Sequence, residues 1–313
     1  MNTDARDRVS GSGLGYAVAA YLLWGILPIL FFALRDSGAP EIVAWRIVLS
    51  LVFCALVITV SRGWGRLVAI LTDRRTMLSL ALAAAFILVN WTVYVFASVS
   101  GHVVEASLGY FTNPIVTVLL GVIVLRERMR PLQWVALGAS VVAVLVIAIG
   151  YGAFPWIALA LAFSFGLYGL VKKRVGTTVD AIGGLTMETA ILSPLALGTL
   201  IVLALTAGLT IGTVSVTHTL LMLSVGIATA VPLITFAAAA RRLPLVYFGL
   251  TQYLAPILQL IVGVVIVGEA MPPERWIGFG IVWLALLILT IDMFINGTRQ
   301  RAAAAAATAL DAP

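Results

Sequence analysis

Three ionisable side chains lie inside otherwise apolar stretches of this chain: Arg46, Glu105 and Glu188. A charge in hydrocarbon is costly, so such residues mark substrate or ion pathways, proton relays or fixed charge pairs. Arg46 and Glu105 each fall about one helical turn inside one end of their stretches. Three chemistries stay open for them: they pair as a lock or gate, they contact substrate or a proton, or they sit in a solvated interface. If Glu105 is a protonatable gate poised by Arg46, burial raises its pKa and the arginine lowers it, so the sign is undetermined. For Glu188 the expected partners are Lys172, Lys173 or Arg241, which would make an inner gate; a plain interfacial carboxylate is the alternative. The neutral polar set is broader. Asn90 and Tyr94 are four residues apart and share a helix face, while Trp91 and Ser98 share another. Tyr110, Thr112 and Asn113 run into Pro114, and Tyr247, Gln252, Tyr253 and Gln259 surround Pro256. A buried amide has to find a hydrogen-bond partner. These groups therefore face a bundle interior or wet cavity, or lock helix to helix. Trp91 and Tyr94, deep in their stretch, either stack on a flat substrate or pack.

The elements that position these groups are membrane helices. The chain has 313 residues, of which 62% are hydrophobic and 10% charged, and its mean hydropathy is +1.13. A bilayer span needs about 20 consecutive apolar residues. Ten such windows are present: 14–34, 41–60, 77–98, 103–125, 131–150, 154–171, 181–206, 217–240, 244–267 and 274–295. The first exceeds a signal-peptide core and reads as a retained span. The stretch 298–313, with its alanine run, reads as a disordered or loosely helical cytoplasmic tail. Trp24, Trp45, Trp64, Trp134, Trp156, Trp276 and Trp283 lie near span ends and read as interfacial anchors.

The net charge of +6 invites a nucleic-acid reading, but its distribution argues against one. Arginines and lysines fall in the amino-terminal stretch, in the loops after spans 2, 4, 6 and 8, and in the tail; only Arg35 and Arg275 fall on the other face. Cytoplasmic loops retain Lys and Arg during insertion. Both termini are therefore expected to be cytoplasmic, and the span count even.

The chain also repeats itself. Leu-Gly-Tyr-Phe-Thr-Asn-Pro at 108–114 is echoed as Leu-Thr-Gln-Tyr-Leu-Ala-Pro at 250–256. The same offset relates Gly121 to Gly263, Glu127 to Glu269, Trp134 to Trp276 and Gly138 to Gly280, and it makes Glu188 the counterpart of Arg46. Tyr21 to Gly25 matches Ala162 to Gly166 one residue closer. Five spans per copy make the copies antiparallel. The expected fold is an all-α integral membrane protein of ten transmembrane helices, built as two inverted five-helix repeats (1–150 and 151–297). That plan places a substrate near the midplane. Pro28, Pro114, Pro194, Pro232 and Pro256 free carbonyls one turn earlier and can bend their helices.

No Walker, GxGxxG, HExxH or paired-cysteine motif is present, nor a Ser–His–Asp set at one depth. Neither ATP hydrolysis nor another catalytic activity is expected, and no cofactor or metal. The single cysteine, Cys54, reads as a small core hydrophobe.

Several stretches carry a likeness: Trp24-Gly25-Ile26-Leu27-Pro28, Glu105 to Pro114, Ala162 to Lys173, Val231-Pro232-Leu233 and Gln252-Tyr253. Over 14–295 the chain resembles the RarD-type permeases of the EamA family, in the drug/metabolite transporter superfamily. The resemblance implies an inner-membrane permease exporting small metabolites such as amino acids, or amphenicol-like drugs, from a cavity between the repeats. The expected partners are a small-molecule substrate, lipid and, if Glu105 titrates, a coupled proton, without nucleic acid. Polarity at depth and repeat position select Asn90, Trp91, Tyr94, Tyr110, Asn113, Gln252 and Tyr253 as substrate contacts, with Arg46, Glu105 and Glu188 as gating or proton groups. The rivals are a passive facilitator and a non-transporting sensor or assembly protein.

Overall fold

The computed structural model describes residues 11–125, 130–151, 154–175, 179–240, 242 and 251–310. Arg6, Arg8, Glu127 with its flanking arginines, Arg241 and Tyr247 lie outside them. The described residues form helices joined by short connections: α1 (Gly11–Ala33), α2 (Gly38–Val60), α3 (Trp64–Thr72), α4 (Arg74–Val99), α5 (Val103–Leu125), α6 (Pro131–Tyr151), α7 (Trp156–Val175), α8 (Ala181–Thr206), α9 (Val216–Ala240), α10 (Leu254–Ile261, continued by a π-helical turn Val262–Val267) and α11 (Pro273–Leu310). Among the described residues, eight helices are long and apolar enough to cross a membrane, and Trp156–Lys172 and Leu254–Val267 are shorter apolar helices. The shorter pair corresponds to the sixth and ninth sequence windows; the ninth opens in residues outside the description. The alanine run prolongs α11 to Leu310, as alanine's high helix propensity favours.

The loop after span 2 holds a helix that span counting overlooks. In α3, Leu67 and Ile70 pack on Ile58, Leu80 and Met187, while Trp64, Val68 and Leu71 stay exposed. Asp73 then caps α4, accepting from the Arg75 amide and the Thr76 hydroxyl. Those bonds, the Thr76 one foremost, hold its carboxyl below the ordinary range. Asp180 caps α8 through the Gly183 amide at 3.0 Å.

The helices form two compact units. One comprises residues up to Asn113 together with Trp156–Ala270, and the other Pro114–Pro155 with Met271 onward. In the first, α1 packs on α9, α4 on α7 and α2 on both α8 and α9. In the second, α6 packs on α11, with Gly278 against Ile147. Small residues let backbones approach. A methyl group on Gly226 of α9 would lie 2.5 Å from the Leu49 backbone of α2, and one on Gly109 of α5 would lie 2.7 Å from the Ala158 carbonyl of α7.

Candidate functional site

The site is built on a proline. Pro28 lacks the N–H that would bond the Trp24 carbonyl inside α1. Two side chains from other helices occupy that oxygen instead. The Tyr94 hydroxyl of α4 donates to it at 3.4 Å and the Gln259 amide of α10 at 3.2 Å. The Gln259 Nε2 also donates to the Tyr94 oxygen at 3.1 Å. One freed carbonyl thus ties α1, α4 and α10. Between helices in a membrane, such bonds contribute about 0.6 kcal/mol each and up to about 1.7.

Beside it, Asn90 is fully used. Its Nδ2 donates to the Leu161 carbonyl at 3.3 Å and to Ser164 Oγ at 3.2 Å, and its Oδ1 accepts from the Tyr110 hydroxyl at 3.1 Å. This joins α4, α5 and α7. The rings continue the contact: Phe31 meets Tyr94 edge-on at 5.9 Å, Tyr94 meets Tyr110 at 5.5 Å, and Tyr110 meets Phe165 at 6.0 Å. Trp24, expected at an interface, is half-buried with its ring on Tyr21 and Phe236.

Arg46 of α2 lies over this aromatic wall. It is 4% exposed, its guanidinium carbon 4.4 Å from the Trp91 ring centre and 5.3 Å from that of Phe31. Its Nε and Nη1 are buried with no hydrogen-bond partner among the described residues, and Ser50 Oγ, one turn along α2, is in the same condition. A cation–π contact is worth about 2 kcal/mol when desolvated. Burying an unpaired charge costs several kcal/mol, so the rings alone do not compensate this one.

The pairing of Arg46 with Glu105, left open by the sequence, is not what forms. Glu105 Oε1 accepts from the Ile157 amide at 3.0 Å. Helix amino termini carry unsatisfied N–H groups and a partial positive charge, and α7 begins at Trp156. Two further carboxylates, neither selected from sequence, also accept from backbone amides, one at a helix start and one in the connection between α8 and α9. Glu269 accepts from the Val103 and Val104 amides that open α5, and Glu41, in the first turn of α2, accepts from the Thr210 amide at 2.9 Å. Their signal was available: each is an acidic residue beside a helix end.

Glu188 is 1% exposed. Lys172 Nζ is 2.8 Å from its Oε1 and the Tyr168 hydroxyl donates to its Oε2 at 3.2 Å. Of the three expected partners Lys172 binds; the Lys173 side chain and Arg241 lie outside the described residues. Gln252 and Tyr253 are half-buried in the turn that opens α10, and Asn113 is half-buried in α5. No hydrogen bond or ring contact described above joins these three to Asn90, Tyr94 and Tyr110; Gln259, quoted from sequence but not selected, takes the central place.

Comparison with known proteins now bears on this geometry. Residues 11–149 match the EamA-like transporter family. Protein RarD of Streptomyces exfoliatus is 48% identical over 304 residues, covering 96% of each chain. The chain belongs to the RarD-type permeases of the EamA-like transporter family. YojE of Bacillus subtilis (strain 168), named an uncharacterized transporter, is 40% identical over 90% of this chain and 94% of its own. A solved crystal structure shares the fold at a TM-score of 0.57 and 18% identity, covering 91% of this chain and 98% of that one. This RarD-type chain is therefore a multi-pass membrane transporter of the drug/metabolite superfamily, acting on a small molecule.

Proposed function

We propose that the protein is a secondary exporter of small metabolites, amino acids or amphenicol-like drugs among them. It works by alternating access between two inverted five-helix repeats, 1–150 and 151–297, in the cytoplasmic membrane with both termini inside. The observation that carries this reading is the exchange of helices between the halves. With an offset of about 142 residues, the pairing of α1 with α9 maps onto that of α7 with α4, and α2 with α8 maps onto itself. A substrate held near the midplane meets Asn90, Trp91, Tyr94 and Tyr110, with Asn113, Gln252 and Tyr253 along its path. Arg46, Glu105 and Glu188 serve as gating or proton groups, Arg46 from beside the substrate contacts, 4.4 Å from the Trp91 ring centre, and Glu105 and Glu188 at the two ends.

The test is counterflow in proteoliposomes with labelled amino acids and chloramphenicol, against protein-free vesicles. Trans-stimulated uptake of a compound is expected. Flux without trans-stimulation reassigns the protein as a facilitator. Folded protein with no flux for any compound removes this substrate class. Full transport and full pH dependence in Glu105→Gln would remove the proton-gate role, and unchanged transport in Asn90→Ala, Tyr94→Ala and Gln252→Ala would remove the contact set.

A further inference from the structure

We propose that Arg46 is an anion-binding site that takes the carboxylate of a small, flat organic monoanion. This rests on the transporter reading for the ligand's passage but not for its binding, and it narrows that reading's substrates to a carboxylate monoanion in place of amino acids and neutral drugs.

The guanidinium is stacked and not paired. Trp91 and Phe31 lie 4.4 Å and 5.3 Å from its central carbon. Rings beside a guanidinium leave its in-plane N–H groups free to donate, and here Nε and Nη1 donate to no described residue. The three salt bridges among the described residues lie elsewhere. The buried Ser50 hydroxyl, unpartnered on the same face, adds a further group for a polar ligand.

A carboxylate meets every condition at once. Its two oxygens match the planar fork of the guanidinium, and it brings the missing countercharge. A neutral carbonyl or nitro group supplies acceptors without the charge. Among the described residues, the ionisable side chains whose charge acts on Arg46 are Tyr94 and Tyr110. Neither a second cation, which a phosphate dianion would need, nor a carboxylate, which a substrate ammonium would need, is among them. The ligand is thus a monoanion. The aromatic wall of Phe31, Trp91, Tyr94 and Tyr110 suits a flat, unsaturated body.

The experiment is equilibrium binding of labelled 3-phenylpropanoate to the purified full chain in detergent, with 3-phenylpropanamide and phenylalanine as competitors. The acid is expected to bind wild type. The amide and phenylalanine should each compete at least about tenfold more weakly than unlabelled acid. Arg46→Gln should weaken acid binding by at least about thirtyfold. Arg46→Lys, which keeps the charge and loses the fork, should fall between. The proposal is overturned if the acid fails to bind wild type, if amide or phenylalanine competes as well as the acid, or if folded Arg46→Gln binds like wild type. Should Arg46→Gln not fold, Arg46→Lys decides: affinity equal to wild type overturns the role of the planar fork. Binding of the acid without any counterflow would sink the transporter reading alone. Arg46-dependent binding that fails, while neutral compounds still undergo counterflow, would sink this proposal alone.

Discussion

Arg46 and Glu188 occupy the same place in the two halves of the sequence and have opposite solutions to the same problem. Both are buried charges, Arg46 on α2 and Glu188 on α8. Glu188 is neutralised within the protein by Lys172 and accepts from Tyr168. Arg46 has aromatic rings where a counter-ion would stand. The first helices of the repeats align one residue closer, which makes Phe31 the counterpart of Lys172. On the proposed repeat, the position of the pair is kept and its chemistry is not. Glu188 is satisfied by an internal ion pair, and Arg46, on the proposal above, by a carboxylate from outside the protein.

The largest effect is expected at Lys172. Lys172→Ala leaves Glu188 buried without its cation and is expected to lower stability by about 3–5 kcal/mol, read as thermal melting in detergent. Adding Glu188→Gln should recover much of that loss. Phe31→Glu probes the same idea from the other repeat, by giving Arg46 a cation's proper neighbour. Such a pair should abolish binding of an external carboxylate while the protein stays folded, checked by ligand binding and size-exclusion profile. Arg46→Gln, in contrast to Lys172→Ala, removes no internal partner, so its melting temperature without ligand should equal or exceed that of wild type. A fall comparable to that of Lys172→Ala would show that Arg46 is paired after all. The smallest effect is expected at Gly184. A methyl group there meets the Lys172 ammonium, the mobile end of a long side chain. Gly184→Ala should therefore cost under about 1 kcal/mol, with Glu188 still paired.

Much of this was legible in the sequence. Apolar windows located eight helices of spanning length because bilayer thickness fixes that length, the sixth and ninth windows appearing as shorter apolar helices, and Arg46 and Glu188 stood out because charge in such windows is rare. Asn90, Tyr94 and Tyr110 were selected by polarity at depth, and they do come together. What sequence could not give was partnership. Glu105 turned to the start of α7, since nothing in its local pattern says which helix end lies nearest. Gln252 and Gln259 looked equivalent by spacing, yet only Gln259 reaches Trp24 and Tyr94. The α3 helix stayed hidden because nine residues are too few for a span, and its face is set by contacts with α2, α4 and α8.

The junction of α1, α4 and α10 has a consequence for how this protein is dissected. Its meeting point is the backbone oxygen of Trp24, which no side-chain replacement at position 24 removes. A scan of that position would report only on the indole ring. The informative change is four residues away: Pro28→Ala restores a competing amide hydrogen inside α1. The helix would then satisfy itself, Tyr94 and Gln259 would lose their shared acceptor, and a residue without a single polar atom in its side chain would prove to control a polar junction.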